Sequence, residues 1–297
     1  MSKALVFGGS GFLGSYVADE LTNRGFSVLL ADKERSNFKN KKQDYVYCDI
    51  MDSDAVGKVV NGFDLVFNFA GMSHLDSCID KPKQTMQQNV IANINVIENL
   101  LDRPIKRYVY ASSVYAASKY GSFYGISKST SESLIEEFSR RHNFPYTIVR
   151  YGSLYGERAG SENGVYRIIE EAINEKRITY SGDGDEIREY IHASDAAKLS
   201  VDVAEDDQYN KEIITLTGVE KLNRSDLVKM IEEIIGKEVN VEYSEATWDG
   251  HYTVTPYSFQ PRRTKKLAPN PSIDLGQGIA SCVESFYDSI GKYNDQK

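Results

Sequence analysis

Ala4-Leu5-Val6-Phe7-Gly8-Gly9-Ser10-Gly11-Phe12-Leu13-Gly14 is the stretch on which the fold turns. Its apolar start is too short for a helix and is stopped by glycine, so it reads as a buried strand. Residues 12–24 then carry apolar side chains at helical spacing. Strand, glycine turn and helix in that order make a phosphate cradle. Gly8 permits the tight turn, Gly11 lets backbone approach a pyrophosphate, and Gly14 lets the helix sit close to the strand. Phe12 and Leu13 open the helix whose N-terminus would meet the anion.

Outward from this unit the pattern repeats. Strands are expected over 27–31, 45–48, 65–69, 107–111 and 147–150, and long helices over 84–101 and 124–141. Strands alternating with helices imply parallel units with right-handed crossovers, hence an α/β, doubly wound Rossmann sheet. Asp32 stands just past the second strand, 18 positions beyond Gly14. A carboxylate there grips the adenosine ribose hydroxyls and repels a 2′-phosphate, which favours NAD over NADP. Lys33 and Arg35 pull the other way without reversing it. Asp49 and Ile50, after the third strand, fall near the adenine. Phe69, Ala70 and Gly71, ending the fourth, let backbone pass close to the cofactor.

Past Arg150 the rhythm changes. Gly182-Asp183-Gly184-Asp185 reads as a turn, a strand is expected over 212–216, a helix over 224–236 and a strand over 239–243. A tail with Pro256, Pro261, Pro269 and Pro271 follows. The expected division is a cofactor domain of residues 1–155 and 192–219. A smaller, interwoven substrate lobe would take 156–191 and 220–297.

Composition excludes several classes. The 297 residues are 41% hydrophobic and 26% charged, with a net charge of -8, so nucleic acid is not the expected partner. Cys48, Cys78 and Cys282 form no metal-ligand pattern and read as buried small side chains. No apolar run is long enough for a membrane span or a signal peptide, so no membrane partner is expected and a cytoplasmic setting is.

The chemistry is expected at Tyr124-Gly125-Ile126-Ser127-Lys128. Residues four apart share a helix face, and an ammonium beside a phenol favours the phenolate. Upstream, the strand 107–111 runs into Ser112-Ser113, either of which can hydrogen-bond a reacting oxygen while Tyr124 moves its proton.

Together the glycine motif, the serine after a strand and the Tyr-x-x-x-Lys helix resemble the short-chain dehydrogenase/reductase superfamily. Later stretches extend the resemblance along nearly the whole chain: Arg150-Tyr151-Gly152-Ser153-Leu154-Tyr155-Gly156, then Arg188-Glu189-Tyr190-Ile191-His192 and Asp195-Ala196-Ala197. They resemble its extended branch, the NAD-dependent nucleotide-sugar epimerase/dehydratase family. The resemblance implies Tyr124 as catalytic acid or base, and Lys128 as a second holder of the nicotinamide ribose. Ungapped alignment from Lys106 favours Ser113 as the third member. It further implies that Arg188, helped by Arg262 or Arg263, grips the diphosphate of a nucleotide sugar. Asn89, counted with the cofactor site, would support the active-site backbone. A homodimer is implied as well, built on the two long helices, with Ile91, Ile94, Val96, Leu134, Ile135 and Phe138 as apolar candidates.

Departures from the family pattern narrow the chemistry. Phe7 replaces the usual Thr or Ser before the first motif glycine. Ser113 and Tyr124 are only 11 positions apart, so the substrate pocket would be unusually open. Val114-Tyr115 stands where 4,6-dehydratases carry Asp-Glu, which disfavours dehydration. No cysteine follows two residues after Ser113, unlike in 3,5-epimerizing members. His74 and Cys78 fall on a segment that often lines the sugar pocket, though both read as structural. The expectation is a 4-epimerase working by transient C4 oxidation. A C4 dehydrogenase or 4-ketoreductase would need the same residues, and a non-catalytic dinucleotide sensor would not retain the Tyr-Lys pair.

Overall fold

The computed structural model describes residues 1–38, 40–182, 184–244 and 264–294. The chain opens with β1 (Lys3–Phe7), α1 (Phe12–Asn23), β2 (Ser27–Asp32), β3 (Gln43–Tyr47), α2 (Ser53–Val59) and β4 (Leu65–Asn68). There follow α3 (Leu75–Asp80), α4 (Pro82–Met86), a π turn (Gln87–Ile91) and α5 (Ala92–Leu100). Next come β5 (Arg107–Ser113), a 3-10 turn (Val114–Ala117), α6 (Ser122–His142), β6 (Tyr146–Tyr151) and β7 (Ser153–Tyr155). The remainder holds α7 (Gly164–Asn174), β8 (Arg177–Ser181), β9 (Ile187–His192), α8 (Ala193–Glu205), β10 (Glu212–Leu216) and β11 (Lys221–Asn223). It closes with α9 (Arg224–Ile235), β12 (Asn240–Ser244), β13 (Lys265–Leu267) and α10 (Leu275–Asn294).

Eight strands form one parallel sheet in the order β13-β10-β6-β5-β4-β1-β2-β3. The chain winds outward from β1 to β3, then returns to β4 and winds the other way. The seam between β1 and β4 is therefore the switch point, where a crevice opens at the carboxyl ends. Strand β1 shows why the sheet is buried on both faces. Ala4 and Val6 enter the core beneath α1 and α8, while Leu5 and Phe7 enter the core beneath α2, α5 and α6. Such continuous apolar strands suit a parallel sheet covered on both sides.

A three-stranded sheet (β11-β9-β7) and a two-stranded pair (β12-β8) share a third core with α7, α9 and α10. Strand membership crosses the division expected from sequence: β7 leaves the main sheet and β13 joins it. Two expectations need correction. The helix expected over 84–101 is split by the π turn, because Asn89 there bonds to other segments, a tertiary constraint that periodicity does not signal. The Pro-rich tail ends in the 20-residue α10, whose apolar face packs on α7 and α9. Pro256 and Pro261 lie outside the described residues.

Val96 and Ile135, offered above as dimer-face candidates, are fully buried in the core; Ile91 is 48% exposed. The three cysteines are buried and unpaired. Among the described residues no helix is long and apolar enough to cross a membrane, and no cluster of side chains could hold a metal ion.

Candidate active site

A cavity of about 710 Å³ opens at the switch point and reaches across the carboxyl ends of β1, β2, β4, β5 and β6. Its floor at one end is the glycine turn, where Gly8, Gly11, Phe12, Leu13 and Gly14 all line it. Gly8 holds φ +71, and a Cβ there would lie 2.6 Å from the Ala70 nitrogen. A Cβ on Gly14 would drive into the Gly8 carbonyl oxygen, so only glycine lets α1 settle on the turn. No side chain caps the start of α1, which leaves its first-turn N–H groups available to an anion.

Asp32 lines the same cavity at the end of β2. Its Oδ2 accepts from the Ser10 N–H at 3.0 Å and its Oδ1 from the Glu34 N–H at 3.3 Å, which fixes the carboxylate beside the turn. Of the two cations that pull toward NADP, one stays at the cavity and one is engaged by a ring. Lys33 lines the cavity with its ammonium 4.0 Å from Asp49, and Arg35 stacks 5.3 Å from the Tyr45 ring. Asp49, Ile50, Phe69, Ala70 and Gly71 complete this end of the lining.

Tyr124, Lys128, Ser112 and Ser113 line the other end. The helix begins at Ser122, two residues before the expected start, and carries Tyr124 and Lys128 one turn apart. Lys128 is buried and donates to the Ala111 carbonyl at 2.8 Å. Its ammonium stands 4.9 Å from the Tyr110 ring and 5.8 Å from the Tyr124 ring. Burial lowers its pKa to about 8, opposed by the neighbouring Cys78 and Glu132. The short connection from Ser113 to Tyr124 is taken up by the 3-10 turn, which sets Tyr115 edge-on to Tyr124 with centroids 6.1 Å apart.

Geometry separates the two serines. Ser112 Oγ donates to Glu132 Oε1 at 2.5 Å, and Glu132 is engaged by Arg150. Ser113 Oγ accepts from the Tyr115 N–H at 3.3 Å. That bond uses a lone pair and leaves the Ser113 proton available to a reacting oxygen. The tertiary contacts thus favour Ser113.

Other expected residues stand off the cavity. Asn89 is absent from the lining and works behind it. Its Oδ1 accepts from the Met72 N–H at 2.7 Å, while its Nδ2 donates to the Met72 carbonyl at 3.0 Å and to Ser127 Oγ at 2.9 Å. Ser127 Oγ in turn donates to the Tyr124 carbonyl at 2.8 Å, so the loop after β4 is tied to the first turn of α6. Arg188 is buried on β9, donates to the Ile187 carbonyl at 3.1 Å, and does not line the cavity. Arg262 and Arg263 lie outside the described residues. His74 accepts from the Ser77 N–H to cap α3, and Cys78 is buried behind it.

The sequence reading missed part of the wall. Tyr151, Gly152, Leu154 and residues 160–163 also line the cavity. Asn163 caps α7, accepting from the N–H groups of Val165 at 3.0 Å and Tyr166 at 3.2 Å, and its amide donates to the Leu154 carbonyl at 2.8 Å. An asparagine before an amphipathic stretch was the available signal. Beside it, Gly164, Arg167, Tyr180 and the buried Arg224 border a second cavity of about 220 Å³.

Known proteins share this architecture. The chain is 27% identical to a Methanocaldococcus jannaschii protein assigned as a UDP-glucose 4-epimerase, with 94% of this chain and 96% of that one covered. It is 26% identical to the UDP-N-acetyl-alpha-D-glucosaminuronate decarboxylase of Bacillus cytotoxicus, covering 96% and 97%. The crystal structure of UDP-glucuronic acid 4-epimerase from Bacillus cereus, in complex with UDP-glucuronic acid and NAD, superposes with a TM-score of 0.85. It covers 96% of this chain and 99% of its own at 19% identity. The family model for the NAD dependent epimerase/dehydratase family matches residues 4–216. A match of that extent, over the whole winding of the main sheet from β1 to β10, establishes that the chain belongs to the NAD dependent epimerase/dehydratase family.

Proposed function

We propose that the chain is a nucleotide-sugar 4-epimerase that works by transient oxidation at C4 of the sugar. The observation that carries this is the convergence of Ser113, Tyr124 and Lys128 on the cavity that also holds the glycine turn and Asp32. NAD fits the residues present: the pyrophosphate on the uncapped start of α1, the adenosine ribose on Asp32, the adenine near Asp49 and Ile50, and the remainder along Phe69, Ala70 and Gly71. When bound, NAD supplies reversible hydride acceptance. Tyr124 takes the proton of the C4 hydroxyl and later returns it. Ser113 donates to the same oxygen, and the Lys128 ammonium favours the phenolate. A 4-keto sugar that turns over in an open pocket is reduced on its other face, which inverts C4.

The nucleotide half of the substrate is proposed to lie toward 160–163 and the lobe of residues 156–191 and 220–297. There Arg188 and Arg262 remain the arginines assigned by resemblance, and Arg224 is the one that borders a cavity. A homodimer through the π turn with α5, and α6, is proposed too, with Ile91, Phe123 and Ile126 exposed at 48%, 37% and 53%.

The test is incubation with UDP-glucose, UDP-N-acetylglucosamine and UDP-glucuronic acid, followed by product stereochemistry and absorbance of reduced nicotinamide. The expected result is a C4 epimer with no net reduced cofactor. Stoichiometric reduction, or release of carbon dioxide from the uronic acid, would replace the proposal with a dehydrogenase or a decarboxylase. Tyr124→Phe should slow turnover by about 10²–10⁴-fold.

A further inference from the structure

One buried carboxylate next to the site has no part in the chemistry above. Glu132 lies one helical turn beyond Lys128, which lies one turn beyond Tyr124, so the three share a face of α6. Glu132 is 5% exposed and Arg150 is 4% exposed. The carboxylate accepts from Arg150 Nε at 2.8 Å and from the terminal guanidinium nitrogen at 2.5 Å, and from Ser112 Oγ at 2.5 Å. Ser112 and Arg150 are register partners on β5 and β6. Lys128 bonds the carbonyl of Ala111, the residue before Ser112. Helix α6 therefore holds β5 at two consecutive residues, and the next residue is Ser113.

A buried ion pair loses much of its attraction to desolvation, and an apolar filling of equal volume is often as stable. Stability alone does not call for one at this place. We infer that Glu132, paired with Arg150, is a positioning residue of the site: it sets Ser113 through Ser112 and supplies the negative charge that faces Lys128. This rests on the reading of Ser113, Tyr124 and Lys128 given above.

The groups around the ammonium are Cys78 from α3, Tyr110 from β5, and Tyr124 and Glu132 from α6. Burial raises the pKa of the Cys78 thiol and, strongly, that of the Tyr110 hydroxyl, which keeps both neutral near pH 7. Glu132 is then the carboxylate that opposes burial and keeps Lys128 protonated up to about pH 8. Removing it lowers the ammonium's pKa further, and leaving Arg150 unpaired acts in the same direction.

The experiment uses the full chain labelled with ¹⁵Nζ-lysine, with the Lys128 resonance identified by its loss in Lys128→Met. Wild type, E132Q and S112A are titrated from pH 6 to 10, and kcat and KM for UDP-glucose are measured on each. Lys128 should titrate near pH 8 in wild type and about one pH unit lower in E132Q. In S112A, which keeps the ion pair, it should titrate as in wild type. S112A should lose about 10-fold in kcat at constant KM, since a displaced serine costs rate rather than binding. If E132Q does not fold, E132Q/R150M removes both charges and is expected to show a downward shift smaller than that of E132Q, because the unpaired guanidinium no longer adds to it. An unshifted Lys128 in the folded variant overturns the electrostatic role, and wild-type kcat in S112A overturns the positioning role. The titration does not depend on turnover. Failure of the parent reading would show instead as full activity in Tyr124→Phe.

Discussion

Gly14 and Gly11 belong to one motif, yet the structure gives them separable jobs that two substitutions would expose. A Cβ on Gly14 would overlap the Gly8 carbonyl oxygen and lie 3.0 Å from its carbon and 3.1 Å from Gly9 Cα. All three are backbone atoms of a turn clamped against Phe69 and Ala70, so no rotamer change can relieve the clash. Overpacking of this kind costs about 2–3 kcal/mol, or roughly 3–5 °C in melting temperature for a chain of this size. A Cβ on Gly11 meets only the Gly8 oxygen, at 3.3 Å, and its φ of -77 suits alanine. Gly11→Ala should therefore melt within about 1 °C of wild type. Its methyl group, however, enters the cavity at the start of α1, and NAD affinity should fall about 10-fold, near 1.4 kcal/mol. Gly291→Ala, exposed with nothing within 4 Å, is the control and should stabilise α10 by about 0.5–1 kcal/mol. Calorimetric melting of the apoprotein and titration with NAD separate the effects. A Gly14→Ala protein that melts like wild type, or a Gly11→Ala protein with undiminished NAD affinity, would refute the reasoning.

Further outcomes are expected. Asp32→Ala should weaken NAD more than NADP in parallel titrations, and a clear NADP preference in wild type would remove the basis for that carboxylate's role. Ser113→Ala should cost about 10²–10³-fold in rate, as for a single oxyanion donor, and Ser112→Ala less; the reverse order would reassign the serine. Glu157 is held at about 2 by the adjacent His192 ring and then by the Tyr16 hydroxyl, against burial. Its folded pKa is depressed, so its contribution is complete above about pH 4.5 and is lost as pH falls toward 2. The stability advantage of wild type over Glu157→Gln in urea unfolding should shrink over that window, and an advantage constant with pH would contradict the assignment. Light scattering at micromolar concentration should give the mass of a dimer, and Ile126→Lys should return it to that of a monomer.

What the sequence determined by itself was local. β1, the glycine turn and α1 are contiguous, so their order and the absence of side chains at Gly8, Gly11 and Gly14 are legible as the motif of a phosphate cradle without further information. Asp32 follows from the length of one βαβ step, and Tyr124 with Lys128 from the pitch of one helix. Tertiary structure decided whatever depends on partners far along the chain. Ser112 and Ser113 are chemically equivalent in sequence, and they part only because Glu132, 20 residues beyond Ser112, accepts the hydroxyl hydrogen bond of one of them. Asn89 reads as a helix residue until its amide meets Met72 and Ser127. Arg188 matches a family arginine by its neighbours, yet it is buried on β9, while Arg224 on a later helix borders a cavity. Residues 160–163 line the cavity from the connection between β7 and α7, far along the chain from the glycine turn. Periodicity reports which face of an element is buried; the contacts that pair one polar group with another are set only when the sheet closes and desolvation forces each buried donor and acceptor to find its partner.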